Sequence, residues 1–355
     1  MTRLAALIAD EIRRSGPISV ARYMELCLLH PDHGYYATRD PFGRAGDFVT
    51  APEISQVFGE LLGLFLGQCW MDQGGPAPFT LAEIGPGRGT LMEDARRAMR
   101  VVPGMAEAAR LHLVEASPHL RSLQRARLGA DLRHLDQVAD LPDAPLYLLA
   151  NEFLDALPIR QFQRVEAGWA ERLIGLGEER LAFGLGPLMT LDLPGRPGEV
   201  IERCPPAEAV IRAVAGRIAA QGGVALFIDY GGWNGRGDTF QAVAGHRPVD
   251  PLAAPGEADL TAHVDFAPLA AAAHAAGCAA AMTTQGALLR DLGIGARAAR
   301  LAASGDPGAI RAAERLTRGD EMGELFKALA IWPRGGPAPP GFGNPHRTDP
   351  ADGGT

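Results

Sequence analysis

A short apolar run, Phe79, Leu81, Ala82 and Ile84, breaks into three alternating glycines, Gly85, Gly87 and Gly89. A helical pattern follows from Leu91 to Met99. Strand, glycine turn and helix in that order bring bare backbone close to a nucleotide-like ligand. A Cβ at such positions would block close approach and resist positive φ. The stretch therefore asks for an α/β fold with its site at the carboxyl end of a strand. Its details separate ligand classes. A dinucleotide fingerprint is Gly-x-Gly-x-x-Gly, but here the third glycine comes one residue early and position 90 is Thr. Glu83 stands two residues before the first glycine. The plain alternative, a glycine-rich turn that holds no ligand, uses the same residues.

The 355 residues suffice for one large domain or two small ones. A net charge of −8 without any basic block argues against a nucleic-acid partner. Lys327 is the only lysine; the other basic chains are arginines, a pattern of coding bias more than of function. Cys27, Cys69, Cys204 and Cys278 are scattered and form no Cys-x-x-Cys pair, which suits core thiols in a reducing compartment. His30 and His33 lack a second pair of ligands, so no metal site is expected. The N-terminal segment has no apolar signal core, and no apolar stretch approaches a span of about 20 residues. A cytoplasmic chain is expected.

Taken in order, residues 3–14 and 20–29 read as helices, the second capped by Ser19. A Pro/Gly/Asp-rich loop over 30–46 leads to Asp47 and Glu53, and then to a long helix over 54–71. The loop's polar groups are candidates for binding, or else a capped helix start with Pro52 in its first turn. Residues 111–114 form a second strand ending at Glu115, whose carboxylate can accept bonds from two ribose hydroxyls. About thirty residues separate it from the glycines, which calls for a long intervening helix. A third strand is expected over 134–138, with Asp136 facing an adenine amino group. Residues 146–150 are a buried strand running into Asn151, Glu152 and Asp155; a capping Asn and a solvated Glu are the plain alternative. Residues 159–204 alternate in polarity between glycines, as hairpins do. A helix over 206–221 and a strand over 223–229 follow, then a flexible stretch over 234–255. Asp259 caps the approach to an Ala-rich helix reaching about Ala276. Helices over 285–302 and 307–318 and a strand over 325–332 close the fold, with a disordered tail from Pro333.

Read together, GDFVTAPEISQ (46–56), EIGPGRGTL (83–91), VEASPHL (114–120), NEFLDALP (151–158), DYG (229–231), DLTAHVDF (259–266), 284–286 and 322–325 identify a resemblance. The chain resembles the MidA / NDUFAF-seven family of S-adenosylmethionine (AdoMet)-dependent methyltransferases, nearly end to end. The resemblance implies a class I, Rossmann-like sheet of the seven-stranded type over 76–333, with a helical cap and substrate loop over 1–75. It further implies an inserted hairpin region at about 159–204 and a tail over 334–355. Glu83, Gly85, Gly87 and Gly89 map onto the AdoMet loop and Glu115 onto the ribose-binding acid. Asp136 and Asn151 complete the cofactor set. The segment over 151–158 borders the methyl-transfer site, so Glu152 and Asp155, then Asp47 and Glu53, are the candidates for holding an acceptor. Mitochondrial members are protein arginine methyltransferases in respiratory complex I assembly, which implies a protein partner. A non-catalytic AdoMet-binding assembly factor, a small-molecule methyltransferase and a nicotinamide oxidoreductase are the competing readings; the misplaced glycine disfavours the last.

Overall fold

The computed structural model describes residues 2–38, 50–178 and 180–343, and they divide into two compact units. One unit comprises Val49–Phe153, Glu208–Trp233 and Phe266–Thr355, and is built on a sheet. Its strands are β1 (Phe79–Ile84), β2 (Ala109–Val114), β3 (Arg133–Leu135), β4 (Leu146–Asn151), β5 (Gly223–Gly232), β6 (Cys278–Thr284) and β7 (Phe326–Pro333). They lie in the order β3-β2-β1-β4-β5-β7-β6. The first five are mutually parallel, and β7 runs antiparallel to both β5 and β6. Every residue of β1 and β4 is buried, the mark of central strands covered on both faces. Strand order reverses between β1 and β4, and that reversal opens a crevice beyond their carboxyl ends.

Helices α1 (Gln56–Asp72), α2 (Thr90–Met99) and α3 (Pro118–Leu128) belong to this unit. α1 and α2 approach closely enough that a Cβ on Gly59 would stand 2.6 Å from the Asp94 Cβ. Glu60 on α1 is buried and takes Arg97 of α2 at 3.0 Å and Arg297 at 2.7 Å.

The other unit comprises Met1–Phe48, Leu154–Ala207 and Asn234–Asp265. The N-terminal helices Arg3–Ser15 and Val20–Leu29 pack Ile8, Tyr23 and Met24 into one core with Ile174 and Leu260. The hairpin region is an antiparallel sheet of Arg160–Val165, Gly168–Leu176, Leu181–Met189 and Val200–Arg203, joined at Ile174 and Leu173 by Ile18 and Ser19. The segment over 159–204 thus shares a unit with the N-terminal helices, whereas α1 lies in the sheet unit.

Several sequence expectations need correction. No single long helix links the glycines to β2. α2 ends at Met99, and a turn and the four-residue helix Met105–Ala108 fill the interval. The stretch over 234–255 is not without structure: Gln241–Ala244 pairs with Arg247–Val249 and with Asp259–Thr261. Asp259 is accordingly a strand residue and not a helix cap. β6 (CAAAMTT) hides in an Ala-rich run whose composition favours helix; its pairing with β7 overrides propensity. The helical pattern over 285–302 breaks at Gly293, where φ is +87°. The chain beyond Pro333 does not leave the fold at once, since Phe342 is buried against Phe65; residues 344–355 lie outside the described residues.

Candidate active site at the strand ends

The glycine loop begins where β1 stops. Gly85 donates its N–H to the Val114 carbonyl at 3.1 Å, and Gly89 to that of Pro86 at 2.7 Å. Gly85, Gly87 and Gly89 have φ of +65°, +51° and +79°, a left-handed backbone that L side chains resist. The loop is also backed closely by protein. A Cβ on Gly85 would meet the Phe153 ring at 3.0 Å.

Two carboxylates face each other beneath this loop. Glu83 on β1 is only 2 % exposed, and its Oε2 has no hydrogen-bond partner. Burial, and then the charge of Glu115, push its carboxyl well above the usual carboxylate range. Glu115 follows the last residue of β2. Its Oε1 accepts from the Ser117 N–H at 2.8 Å and its Oε2 from the Gln124 amide at 3.2 Å. Burial raises this carboxyl too, while those two bonds pull the other way.

Gln124 is a residue that sequence reasoning missed. Wholly buried on α3, it donates to the Gly87 carbonyl at 2.7 Å, and its Oε1 faces His134 Nε2 at 2.7 Å. Burial and two arginines hold His134 down to about 4, so a neutral imidazole donates that bond. One amide thus ties the glycine loop, β2 and β3 together. The available signal was a polar residue four positions after Leu120, on the helix face that Leu120 buries.

At the end of β4, Asn151 is buried and its Oδ1 has no partner. Its amide donates to Glu152 Oε1 at 2.9 Å, and the Ala51 N–H donates to the same oxygen at 3.2 Å. Glu152 itself has φ of +51°, an uncommon conformation for a residue with a side chain. It is held there from both sides. Its N–H donates to the Ile228 carbonyl at 2.9 Å, and the next N–H, of Phe153, donates to Asp229 Oδ2 at 3.1 Å. Asp229 is fully buried in the DYG segment and also accepts from the Tyr230 N–H at 2.9 Å; sequence reasoning gave it no role. Glu53 lies in the short helix Ala51–Ile54, where its Oε1 accepts from the Thr90 hydroxyl at 2.6 Å. That short helix therefore binds both the end of β4 and the start of α2.

The structure gathers Glu53, Glu83, Glu115, Asn151 and Glu152 at the strand ends of one unit. Asp136 follows β3, exposed, with its carboxylate on Arg121 at 2.5 Å. Asp155 is buried in the other unit, where its carbonyl accepts from the Ala262 N–H at 3.0 Å. In that unit the Tyr36 hydroxyl donates to Asp259 at 2.8 Å; burial, then the charges of Asp259 and Asp155, hold the phenol well above its ordinary value. Asp47 lies outside the described residues.

An unpaired buried carboxylate oxygen and an unpaired buried amide oxygen are both acceptors, and both lie in a crevice rich in acids. A ligand that is cationic and rich in donors fits them; AdoMet carries an ammonium and a sulfonium. A sheet in this order, a glycine loop at the switch point and acids in place of phosphate-binding groups define a class I AdoMet-dependent methyltransferase.

Comparison with known proteins gives the family. Residues 61–284 match the family described as "Putative S-adenosyl-L-methionine-dependent methyltransferase". The protein arginine methyltransferase NDUFAF7 homolog of Drosophila melanogaster, a mitochondrial protein, is 38% identical over 372 residues, covering 93% of this chain and 85% of its own. The Homo sapiens mitochondrial protein arginine methyltransferase NDUFAF7 is 35% identical, covering 91% and 82%. A crystal structure of a superfamily member from Burkholderia thailandensis, bound to S-adenosyl-homocysteine, superposes with a TM-score of 0.86 at 31% identity, covering 97% of this chain and 96% of that one. The chain belongs to this methyltransferase family and uses S-adenosylmethionine. Among the described residues, no helix is long and apolar enough to cross a membrane.

Proposed function

We propose that the protein methylates an arginine side chain of a protein partner and that Glu152 holds the acceptor. The observation that carries this reading is the placement of the Glu152 carboxylate. It projects from a left-handed residue directly beyond β4, locked by a strand carbonyl and flanked by Asn151. The names of the relatives support arginine as the acceptor. S-adenosylmethionine supplies an electrophilic methyl group on its sulfonium. The chain's part is positioning and charge. The backbone of Gly85, Gly87 and Gly89 and the Glu83 carboxylate would hold the ligand's methionine end. Glu115 would accept the ribose hydroxyls, and Asn151 and Asp136 would border the adenine.

A guanidinium is planar and cationic at neutral pH, and a carboxylate can accept two of its N–H groups in parallel. Such a pair orients one nitrogen toward the methyl carbon, at a separation of about 3 Å. It also stabilises the positive charge and offers an acceptor for the departing proton. Asp155 is the other first candidate from sequence, and Glu53, tied to Thr90 beside the glycine loop, is with Asp47 a second candidate for holding the acceptor.

The test is Glu152→Gln. The amide oxygen of Gln still accepts from Asn151 and Ala51, so the fold and AdoMet binding are retained while the charge is lost. Transfer of labelled methyl into extract from a strain lacking the gene is then followed, with hydrolysis to identify methylarginine. We expect turnover to fall about 100-fold or more, in the range typical of a positioned acid–base group. Unchanged turnover overturns the role of Glu152, and label in small molecules alone overturns the protein acceptor.

A further inference from the structure

At the other end of the same sheet, away from the glycine loop, lies a second polar cavity of about 390 Å3. It opens where β2 and β3 begin and where α2 ends. Arg96 and Arg100 come from α2 and the residue after it, Arg110 from β2 and Arg133 from β3. Leu81 and Leu111, both buried, contribute to its wall. Asp131 is the one acid on the lining, and it forms an ion pair with none of the four guanidiniums.

The guanidiniums are largely unspent. Arg96 gives one N–H group to the Leu128 carbonyl, and Arg110 gives one nitrogen to the carbonyls of Glu107 and Ala109. Arg100 and Arg133 make no side-chain hydrogen bond or ion pair among the described residues. Buried between them, His112 engages the Arg110 carbonyl through Nδ1 at 2.9 Å. Burial and the Arg133 charge keep this imidazole below its ordinary value, so it adds no positive charge. Four arginines against one aspartate leave a formal charge of +3 around the cavity, in a chain whose net charge is −8. Like charges gathered around a concavity repel one another, and an anion entering it relieves that repulsion.

We infer that this cavity is a binding site for a small phosphate-bearing anion carrying two or more negative charges. Arginine forks match phosphate oxygens in number and geometry. The cavity is open, with Arg100, Arg110 and Arg133 exposed at its rim, and its volume suits a compact ligand of the size of a di- or triphosphate. The site is separate from the methyl-transfer crevice: it draws on the amino ends of β2 and β3, whereas Glu115 and the glycine loop occupy the carboxyl ends. It nevertheless shares α2 and β2 with that crevice.

The experiment is calorimetric titration of the full chain at physiological salt with inorganic pyrophosphate, with ATP free of magnesium and with an acidic hexaglutamate peptide. Pyrophosphate and ATP separate recognition of phosphate alone from recognition of an attached nucleoside. The Arg100→Gln/Arg133→Gln double variant removes the two uncommitted guanidiniums. Arg300→Gln/Arg311→Gln, exposed and outside the cavity's lining, changes net charge equally. We expect one saturable site for pyrophosphate or ATP, weakened about tenfold or more in the first variant and unchanged in the second, with AdoMet binding retained in both. Absence of saturable binding, equal weakening in the two variants, or tighter binding of the peptide than of either phosphate overturns the proposal.

Discussion

Gly85→Ala tests the glycine loop most directly, because two separable costs meet at one atom. The first is backbone. At φ of +65° an L residue pays about 1–2 kcal/mol. The second is contact. The new Cβ would lie 3.0 Å from Phe153 Cδ2 and 3.3 Å from Phe153 Cβ, inside the ordinary carbon separation of about 3.5–4.0 Å. The Phe153 backbone, and with it Cβ, cannot retreat freely, because the Phe153 backbone N–H is fixed on Asp229. Overpacking of this kind costs about 1–3 kcal/mol. The sum is about 2–5 kcal/mol, which for a chain of 355 residues lowers Tm by roughly 3–7 °C. Where the loop moves instead, the cost appears as lost AdoMet affinity, tenfold for each 1.4 kcal/mol or so. Thermal unfolding and calorimetry with S-adenosyl-homocysteine measure the two channels. A second change, Phe153→Leu, removes the ring but not the positive φ. The double variant should therefore recover the contact part and keep the backbone part, a coupling read as a double-mutant cycle. A Gly85→Ala protein with unaltered Tm and affinity would refute the account of the loop; a double variant with no recovery would refute the role of Phe153.

Two further outcomes follow from the carboxylates. Glu83 has a raised carboxyl in the ligand-free protein, so it is protonated at pH values where an ordinary glutamate is charged. Pairing with a cationic ligand requires the carboxylate, so AdoMet affinity should climb as pH rises through that raised pKa and level off above it, with a proton released on binding. Calorimetry in two buffers of different protonation enthalpy detects that proton; affinity independent of pH between about 5 and 8, without proton release, contradicts the assignment. Glu60 behaves in the opposite sense. Burial pushes its carboxyl up, but hydrogen bonds from Arg297 and Arg97 outweigh this and leave it lowered. Its stabilisation is complete above the unfolded-state pKa and is lost as pH falls through the lower folded-state value. Glu60→Ala should cost about 1–3 kcal/mol at neutral pH, less than a wholly buried pair because both arginines are partly exposed; a urea midpoint that does not move counts against it.

Three of the parallel strands were legible because each is a short, largely apolar run with a glycine or a polar residue at its carboxyl end: β1 before Gly85, β2 before Glu115, and β4 ending at Asn151. Their carboxyl ends marked Glu83, Glu115, Asn151 and Glu152 as candidates without any contact information. What stayed hidden had no local signal. β6 is CAAAMTT, and it becomes a strand only because β7 lies beside it. Asp259 precedes a helical pattern and looks like a cap, yet its backbone pairs with Val243. Gln124 appears as one polar residue among many in an arginine-rich helix; only burial shows that its amide joins three elements. Asp229 was visible as the end of a strand, but its work, fixing the N–H groups of Phe153 and Tyr230, joins residues more than seventy positions apart.

The distribution of charge also decides between the two ligand classes that the glycines alone left open. The charge of Glu115 already opposes ionisation of Glu83 beneath the loop, and the buried Asp229 carboxylate supports the end of β4. A pyrophosphate placed on such a loop would bring two more negative charges to these acids and raise their carboxyls further. Its binding energy would then be spent on protonating the protein. A sulfonium and an ammonium do the reverse: they lower both carboxyls and give Glu83 Oε2 the partner it lacks. The complement to phosphate that we infer in this unit lies at the opposite end of the sheet, among the arginines that begin β2 and β3. The same parallel strands thus present acceptors at one end and donors at the other, and the sign of the charge, more than the number of glycines, selects what each end can bind.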